Sequence, residues 1–338
     1  MEMLLFIPLI LSFLSCIFFL PFWIKKAKQI NLVWENMNSY KKEKVFAGSG
    51  GLIVLFSFLI GVLSYVAFRT FYRELDIVVI KILIITLVVF IAGFIGFIDD
   101  LIGWKAKGLS MRIRLFSVFL ASIPLVVINA GEKTISLPFF GEVYLGFVYS
   151  LFLIPLGVIG VTTVYNFLAG FNGLEAGQGI LILSFLSFVS YFNGMPWLSL
   201  VGIIMVFSLI GFLFFNWFPA KVLPGDILTY SVGAMIVSMA IIGNFEKIAF
   251  IVFIPFIIEM FLKIKGRIEL NNGSWPYSFG KPNKDNSLSL RYKKIYSLTH
   301  FSIWFLSKIK KKVYEKDVVL FIFLLHIVFI GIAFLVMI

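Results

Sequence analysis

Histidine, cysteine and acidic side chains are scarce in this chain of 338 residues. The two histidines, His300 and His326, are far apart in sequence, which argues against a histidine-based metal site. The lone cysteine, Cys16, lies in an apolar run, so an intrachain disulfide and a multi-thiolate metal centre are both excluded. Charged residues make up 14% of the chain, against about a quarter in a soluble domain. Hydrophobic residues make up 61%, and the mean hydropathy is +1.04. Those values exclude a soluble globular domain and leave an all-α integral membrane protein. Basic residues outnumber acidic ones by 29 to 17, but they cluster in a few loops. The excess therefore speaks to topology and anionic partners, not to nucleic acid. A basic region is also missing ahead of the first apolar run, and Lys25, Lys26 and Lys28 follow it instead. The expectation is a retained first span with its N-terminus outside. No internal repeat or low-complexity segment is present.

A helical span needs about 20 apolar residues. Apolar segments near 3–24, 48–68, 77–98, 112–130, 147–166, 179–194, 197–215, 227–243, 247–264 and 318–337 predict about ten spans in one polytopic domain, 1–338. Charge placement supports that alternation. One set of connections carries Lys25 to Lys44, Lys105 to Arg114, Lys221 and the basic stretch from Lys263 to Lys316. The other set carries only Arg69, Arg73, Lys133 and Lys247. By the positive-inside rule both termini are expected outside and the basic loops in the cytoplasm. The stretch 134–146 predicts a small external hairpin. The cytoplasmic segment 263–317 is expected to hold an ordered loop and an interfacial helix over 301–312.

The chain is organised around 163–179, TVYNFLAGFNGLEAGQG. It combines Asn166, Asn172 and Glu175 with four glycines and has no lysine or arginine. Oxygen donors of this kind suit Mg²⁺, and a polar glycine-rich knot beside a span has to line a cavity or a wet cleft. Four carboxylates fall on the same expected face, beside span ends: Asp99 and Asp100 in GFIDDLIGW, Glu175, and Asp226 in FPAKVLPGDILTY. Adjacent carboxylates near lipid call for a compensating cation. Lys41, Lys42, Lys44, Lys105, Lys107, Lys281 and Lys284 are candidates to receive a phosphate. KVFAGSGG, 44–51, is a candidate for meeting it with backbone amides.

NFLAGFNGLEAGQG, the Asp99–Asp100 pair and FNWFPAKVLPGD resemble the polyprenyl-phosphate N-acetylhexosamine-1-phosphate transferases. They are most similar to the archaeal and eukaryotic dolichyl-phosphate GlcNAc-1-phosphotransferase branch. The resemblance covers nearly the whole chain, and it implies Asn166 and Asp226 as Mg²⁺ ligands, with Mn²⁺ as a substitute. It implies Asp99 and Asp100 as the catalytic acidic pair, and Gly170 and Asn172 at the uracil, with Glu175 in the same motif. Lys44, Lys107, Lys281 and Lys284 complete the expected substrate-binding set. The last two stand in for an Arg/His-rich motif that this chain lacks. Leu223 occupies a position where relatives often carry a phenylalanine, so the base stack is lost or supplied elsewhere.

The implied reaction moves GlcNAc-1-phosphate from UDP-GlcNAc to dolichyl or another polyprenyl phosphate and releases UMP. It is the first step of lipid-linked oligosaccharide assembly for protein N-glycosylation. The active site is expected at the cytoplasmic face of a cell membrane, or of the ER membrane in a eukaryote. A homodimer is left open. Two alternatives remain at this stage: the same chemistry on another UDP-N-acetylhexosamine, and a multi-span lipid or solute transporter. Transporters tend to place ionisable groups near the midplane of repeated halves, whereas these acids gather at one interface.

Overall fold

The computed structural model describes residues 5–41, 44–72, 76–105, 108–137, 141–270 and 274–337. Eleven α-helices are found among them. α1 (Phe6–Gln29), α2 (Gly51–Tyr72), α3 (Ile77–Lys105) and α4 (Met111–Val127) come first. A π-helical turn, Tyr149–Leu153, leads into α5 (Ile154–Tyr165). There follow α6 (Leu174–Phe192), α7 (Pro196–Asn216), α8 (Asp226–Gly243), α9 (Glu246–Glu269), α10 (Leu298–Ser307) and α11 (Glu315–Met337). Local signals set several of these ends. Ser110 caps α4, Pro196 opens α7, and left-handed Asn244 (φ 53°) closes α8.

Among the described residues, seven helices are long and apolar enough to cross a membrane: α1, α2, α3, α6, α7, α8 and α11. The other three predicted segments are also helical but miss that standard for separate reasons. α4 has only 17 residues, and 147–166 is divided by the π-helical turn. α9 carries Glu259, Lys263 and Lys265 within its apolar run. The buried share of the spanning window rises from 28% in α1 and α11 to 94% in α8, so α8 is the central helix. α3 packs against it through Gly96, where a Cβ would collide with the Asp226 carbonyl. Small residues at such contacts let membrane helices approach closely.

Three short antiparallel ribbons decorate the bundle: β1 (Val33–Glu35) with β2 (Lys44–Ala47), β3 (Thr134–Leu137) with β4 (Gly141–Tyr144), and β5 (Lys281–Pro282) with β6 (Leu288–Ser289). The second ribbon occupies the predicted hairpin, with 138–140 outside the described residues. The helix expected over 301–312 begins three residues earlier and stops at Ser307. Ser297 caps its start, and the lysine-rich end 308–312 is non-helical.

The connection 274–297 is pinned to α9 by a buried ion pair. Glu259 accepts from the Ser297 hydroxyl (2.8 Å) and the Leu298 amide (2.6 Å), at the N-terminus of α10. Lys263, 3.8 Å from Glu259, donates to the Pro276 carbonyl (2.7 Å) and the Ser278 hydroxyl (2.6 Å). Both charges are buried and both are paired, which is the condition under which such groups persist in an apolar interior.

Candidate active site

The start of α8 and the last turns of α3 meet at one end of the bundle. Gly225 precedes α8 with φ 74°, and a Cβ there would strike the Asp100 carboxylate. Glycine therefore permits both the turn and the approach. Asp226 then donates its amide to Asp100 Oδ1 at 2.7 Å, and Asp226 Oδ1 accepts from Asn166 Nδ2 at 3.1 Å. Three segments distant in sequence thus converge on one point.

The loop after α5 is held by its own acids. Glu175 is buried in the first turn of α6 and accepts from the Gly170 amide at 2.7 Å. Glu315, in the first turn of α11, accepts from the Asn172 amide (2.7 Å) and the Asn38 side chain (3.0 Å). Asn38 also donates to the Gly170 carbonyl at 3.1 Å. Fully buried Asn216 accepts from the Gly173 amide (3.1 Å) and donates to the Val222 carbonyl (2.8 Å). That side chain staples the glycine-rich loop to the segment leading into α8.

These elements enclose a cavity of about 280 Å³. Asp100, Asn166, Gly170, Asn172, Glu175 and Asp226 all line it, so the structure brings together six of the eleven expected site residues. Asp99 is treated differently. Successive helix positions point about 100° apart, and Asp99 does not line the cavity but lies behind it, beside Asp226. It meets Arg114 at 2.6 Å and accepts from the Leu109 amide at 2.7 Å. Arg114 in turn reaches to 3.9 Å from Asp226.

Of the expected lysines that the structure describes, Lys281 and Lys284 are not part of the lining. Lys281 lies in β5 and Lys284 in the turn after it, and both are exposed. Lys107 lies outside the described residues, as does the Lys44 side chain. The amides proposed to meet phosphate in KVFAGSGG are already engaged: Gly50 donates to the Leu223 carbonyl (2.9 Å) and Gly51 to the Pro224 carbonyl (2.8 Å). Close packing of this segment against 222–224 explains the difference, and Ser49 alone of the glycine-rich turn 48–51 lines the cavity.

Four contributors are not singled out by the sequence. Glu315 and Asn38 support the loop from opposite ends of the chain, and only their long-range contacts reveal it. Arg114 read as one more positive-inside charge; its position in α4, directly after the third span, was the available signal. Phe279 and Leu223 both line the cavity. The Phe279 ring lies against Gly170 (φ 101°) and stacks on Phe171 at 6.3 Å between centroids.

The lining fits a cation-bridged anion. Among the described residues it holds four acidic ones, Glu35, Asp100, Glu175 and Asp226, and no lysine or arginine. Asp100 Oδ2 and Glu175 Oε2 are buried without a hydrogen-bond partner. Among the described residues no group of three or more His, Cys, Asp or Glu forms a complete metal cage. Mg²⁺ characteristically takes one or two carboxylates and completes its shell with water and substrate phosphate. The donors present suit that arrangement.

Residues 82–244 match the model of glycosyl transferase family 4. Over 296 residues the chain is 30% identical to a protein of Saccharolobus solfataricus, covering 87% of this chain and 86% of the relative. The chain belongs to this family. That relative is provisionally named a UDP-N-acetylglucosamine–dolichyl-phosphate N-acetylglucosaminephosphotransferase. A family member from Sulfolobus acidocaldarius has the same provisional name and is 33% identical over 237 residues, 69% of this chain and 67% of its own. The Dictyostelium discoideum enzyme of that name is 30% identical over 203 residues, 50% of this chain and 48% of its own.

Proposed function

We propose that this membrane protein transfers GlcNAc-1-phosphate from UDP-GlcNAc to dolichyl or another polyprenyl phosphate, with release of UMP. The observation that carries the reading is the acid-lined cavity in which Asp100, Asn166 and Asp226 meet. Likeness to relatives named for this reaction supports the choice of substrates. The ten-span arrangement, with both termini outside and this cavity at the cytoplasmic face, is part of the proposal, because charge placement favours it. The cavity is then where a soluble sugar nucleotide and a lipid-borne phosphate can meet.

The difficulty in the reaction is charge. An acceptor phosphomonoester has a second pKa of about 6 and is largely dianionic at neutral pH. It must approach a donor pyrophosphate inside a cavity that is itself acidic. Asp226 and Asn166, with Asp100 beside them, are the residues that would hold Mg²⁺, or Mn²⁺ in its place. Such an ion, when bound, neutralises the pyrophosphate and the leaving UMP.

The protein's own groups do the rest. The N-termini of α6 and α8 both open onto the cavity, and helix N-termini favour anions. Glu175 and Glu315 fix the backbone of Gly170 and Asn172, where the nucleoside is expected. Phe279 offers the cavity an aromatic face that Leu223 does not. Because the acceptor is already deprotonated, direct attack on the donor β-phosphorus needs no strong base. Asp100 touches the reacting groups, and Asp99 positions Arg114 against Asp226.

The test is release of UMP from UDP-GlcNAc by purified protein supplied with a polyprenyl phosphate. Release should stop with chelator and return with Mg²⁺. A parallel assay with UDP-GalNAc decides the sugar. UMP release that ignores both the metal and the acceptor would sink this reading.

A further inference from the structure

A second concavity lies on another face of the bundle, between α9, α10, α11 and the segment Leu290–Leu298. Its volume is about 720 Å³, more than twice that of the catalytic cavity, and the two share no lining residue. Ile258 and Leu262 of α9, Phe301 of α10, and Leu325 and Phe329 of α11 give it apolar walls. Among the described residues its charged lining is of one sign only: Lys265, Lys293 and Lys294. All three are exposed. Lys294 pairs with Glu269 at 3.0 Å, and Lys265 lies near enough to act on the same carboxylate. Lys293 makes no ion pair among the described residues. Trp304 also lines the groove, with Lys308 over its ring at 3.7 Å.

An apolar trough with cations at its rim, and a tryptophan beside them, matches an amphiphile with an anionic head. We propose that this groove binds an anionic membrane phospholipid, its chains along α9 and α11 and its phosphate at Lys265, Lys293 and Lys294. Charge complementarity selects an acidic lipid over a zwitterionic one. The acceptor prenyl phosphate is the poorer fit, because its phosphate must meet the donor in the other cavity. Occupancy has a structural consequence. Arg291, between groove residues Leu290 and Lys293, donates to the carbonyls of Phe279 (3.0 Å) and Gly280 (3.2 Å). A lipid in the groove therefore braces the loop that presents Phe279 to the catalytic cavity.

The experiment reads lipid retention and does not depend on transfer activity. Full-length protein is reconstituted in vesicles of equal parts phosphatidylcholine and phosphatidylglycerol, re-extracted in mild detergent and examined by native mass spectrometry. Wild type should retain phosphatidylglycerol preferentially. The triple variant Lys265→Gln, Lys293→Gln, Lys294→Gln should lose that preference by at least about tenfold. A control, Lys25→Gln, Lys26→Gln, Lys28→Gln, removes the same charge from the end of α1 and should change it by less than about twofold. Lys293→Gln alone removes an exposed, unpaired side chain, so folding is not in question, and it should cost about threefold. Equal loss in both triple variants, or unchanged retention in the groove variants, overturns the proposal. So does lysine-dependent retention of an added prenyl phosphate in place of phosphatidylglycerol.

Discussion

The Asp226 amide donates to Asp100 Oδ1 at 2.7 Å, so the carboxylate that faces the cavity also fixes where α8 begins. Asp100→Asn preserves an acceptor oxygen for that amide while removing the negative charge. The variant should fold and retain the α3–α8 packing, yet lose about 10²–10³-fold in kcat. Steady-state UMP release, alongside a thermal melt, checks both halves. A kcat within tenfold of wild type would mean that Asp100 only builds the turn.

Asp99 is expected to behave differently from its neighbour. It is 2% exposed and salt-bridged to Arg114. Arg114→Met strands that carboxylate and should cost about 2 kcal/mol, less than for a fully buried pair because Arg114 keeps some exposure. Pairing it with Asp99→Asn should recover part of the loss. Denaturation of the four proteins in detergent gives the coupling, and purely additive losses would count against the pairing.

Phe279→Ala should raise KM for UDP-GlcNAc about tenfold, the scale of a lost aromatic stack, with kcat changed by less than about twofold. Phe279→Tyr should restore KM. Gly170→Ala should act in the same direction, since its Cβ would meet the Phe279 ring at 2.5 Å and φ is 101°. Unchanged KM in Phe279→Ala would place the base elsewhere.

Acid should destabilise the loop face through His300. The side chain is buried edge-on against Tyr292, and burial lowers its pKa from 6.5 to about 4. The unfolded chain then binds the proton more readily than the folded one. The neutral histidine's contribution is complete above about pH 6.5 and is lost as pH falls towards 4. Spread over that interval it amounts to about 3 kcal/mol. Melting temperature against pH for wild type and His300→Phe isolates the effect, and superimposable acid limbs would refute it.

Much of this site was legible because its chemistry is concentrated in local strings. The carboxylates and amides of NFLAGFNGLEAGQG, GFIDDLIGW and FPAKVLPGD signal cation binding before any packing is known, and their three segments do converge. The two aspartates read as an equivalent pair, because sequence adjacency hides the rotation between successive helix positions. The glycines of 48–51 read as free amides, since their partners Leu223 and Pro224 lie far along the chain. Lys281 and Lys284 stand out in the sequence for their charge, yet among the described residues of that loop it is Phe279 that lines the cavity. Glu259 lies inside the ninth apolar segment, and only the packing shows its role there: it is buried and caps α10 from inside the bundle. Helix existence was carried by hydropathy, whereas the π-helical turn at Tyr149–Leu153 left no such mark.

Glu315 belongs to α11, the last of the described helices, and its carboxylate braces both Asn38 and Asn172. During synthesis the earlier helices can insert and pack while the loop at Gly170–Gly173 still lacks that support. A nascent chain halted before α11 would therefore expose an acidic, half-assembled cleft unable to grip a sugar nucleotide. Competence would arrive only once α11 is in place, with Glu315 serving as the latch on the cleft.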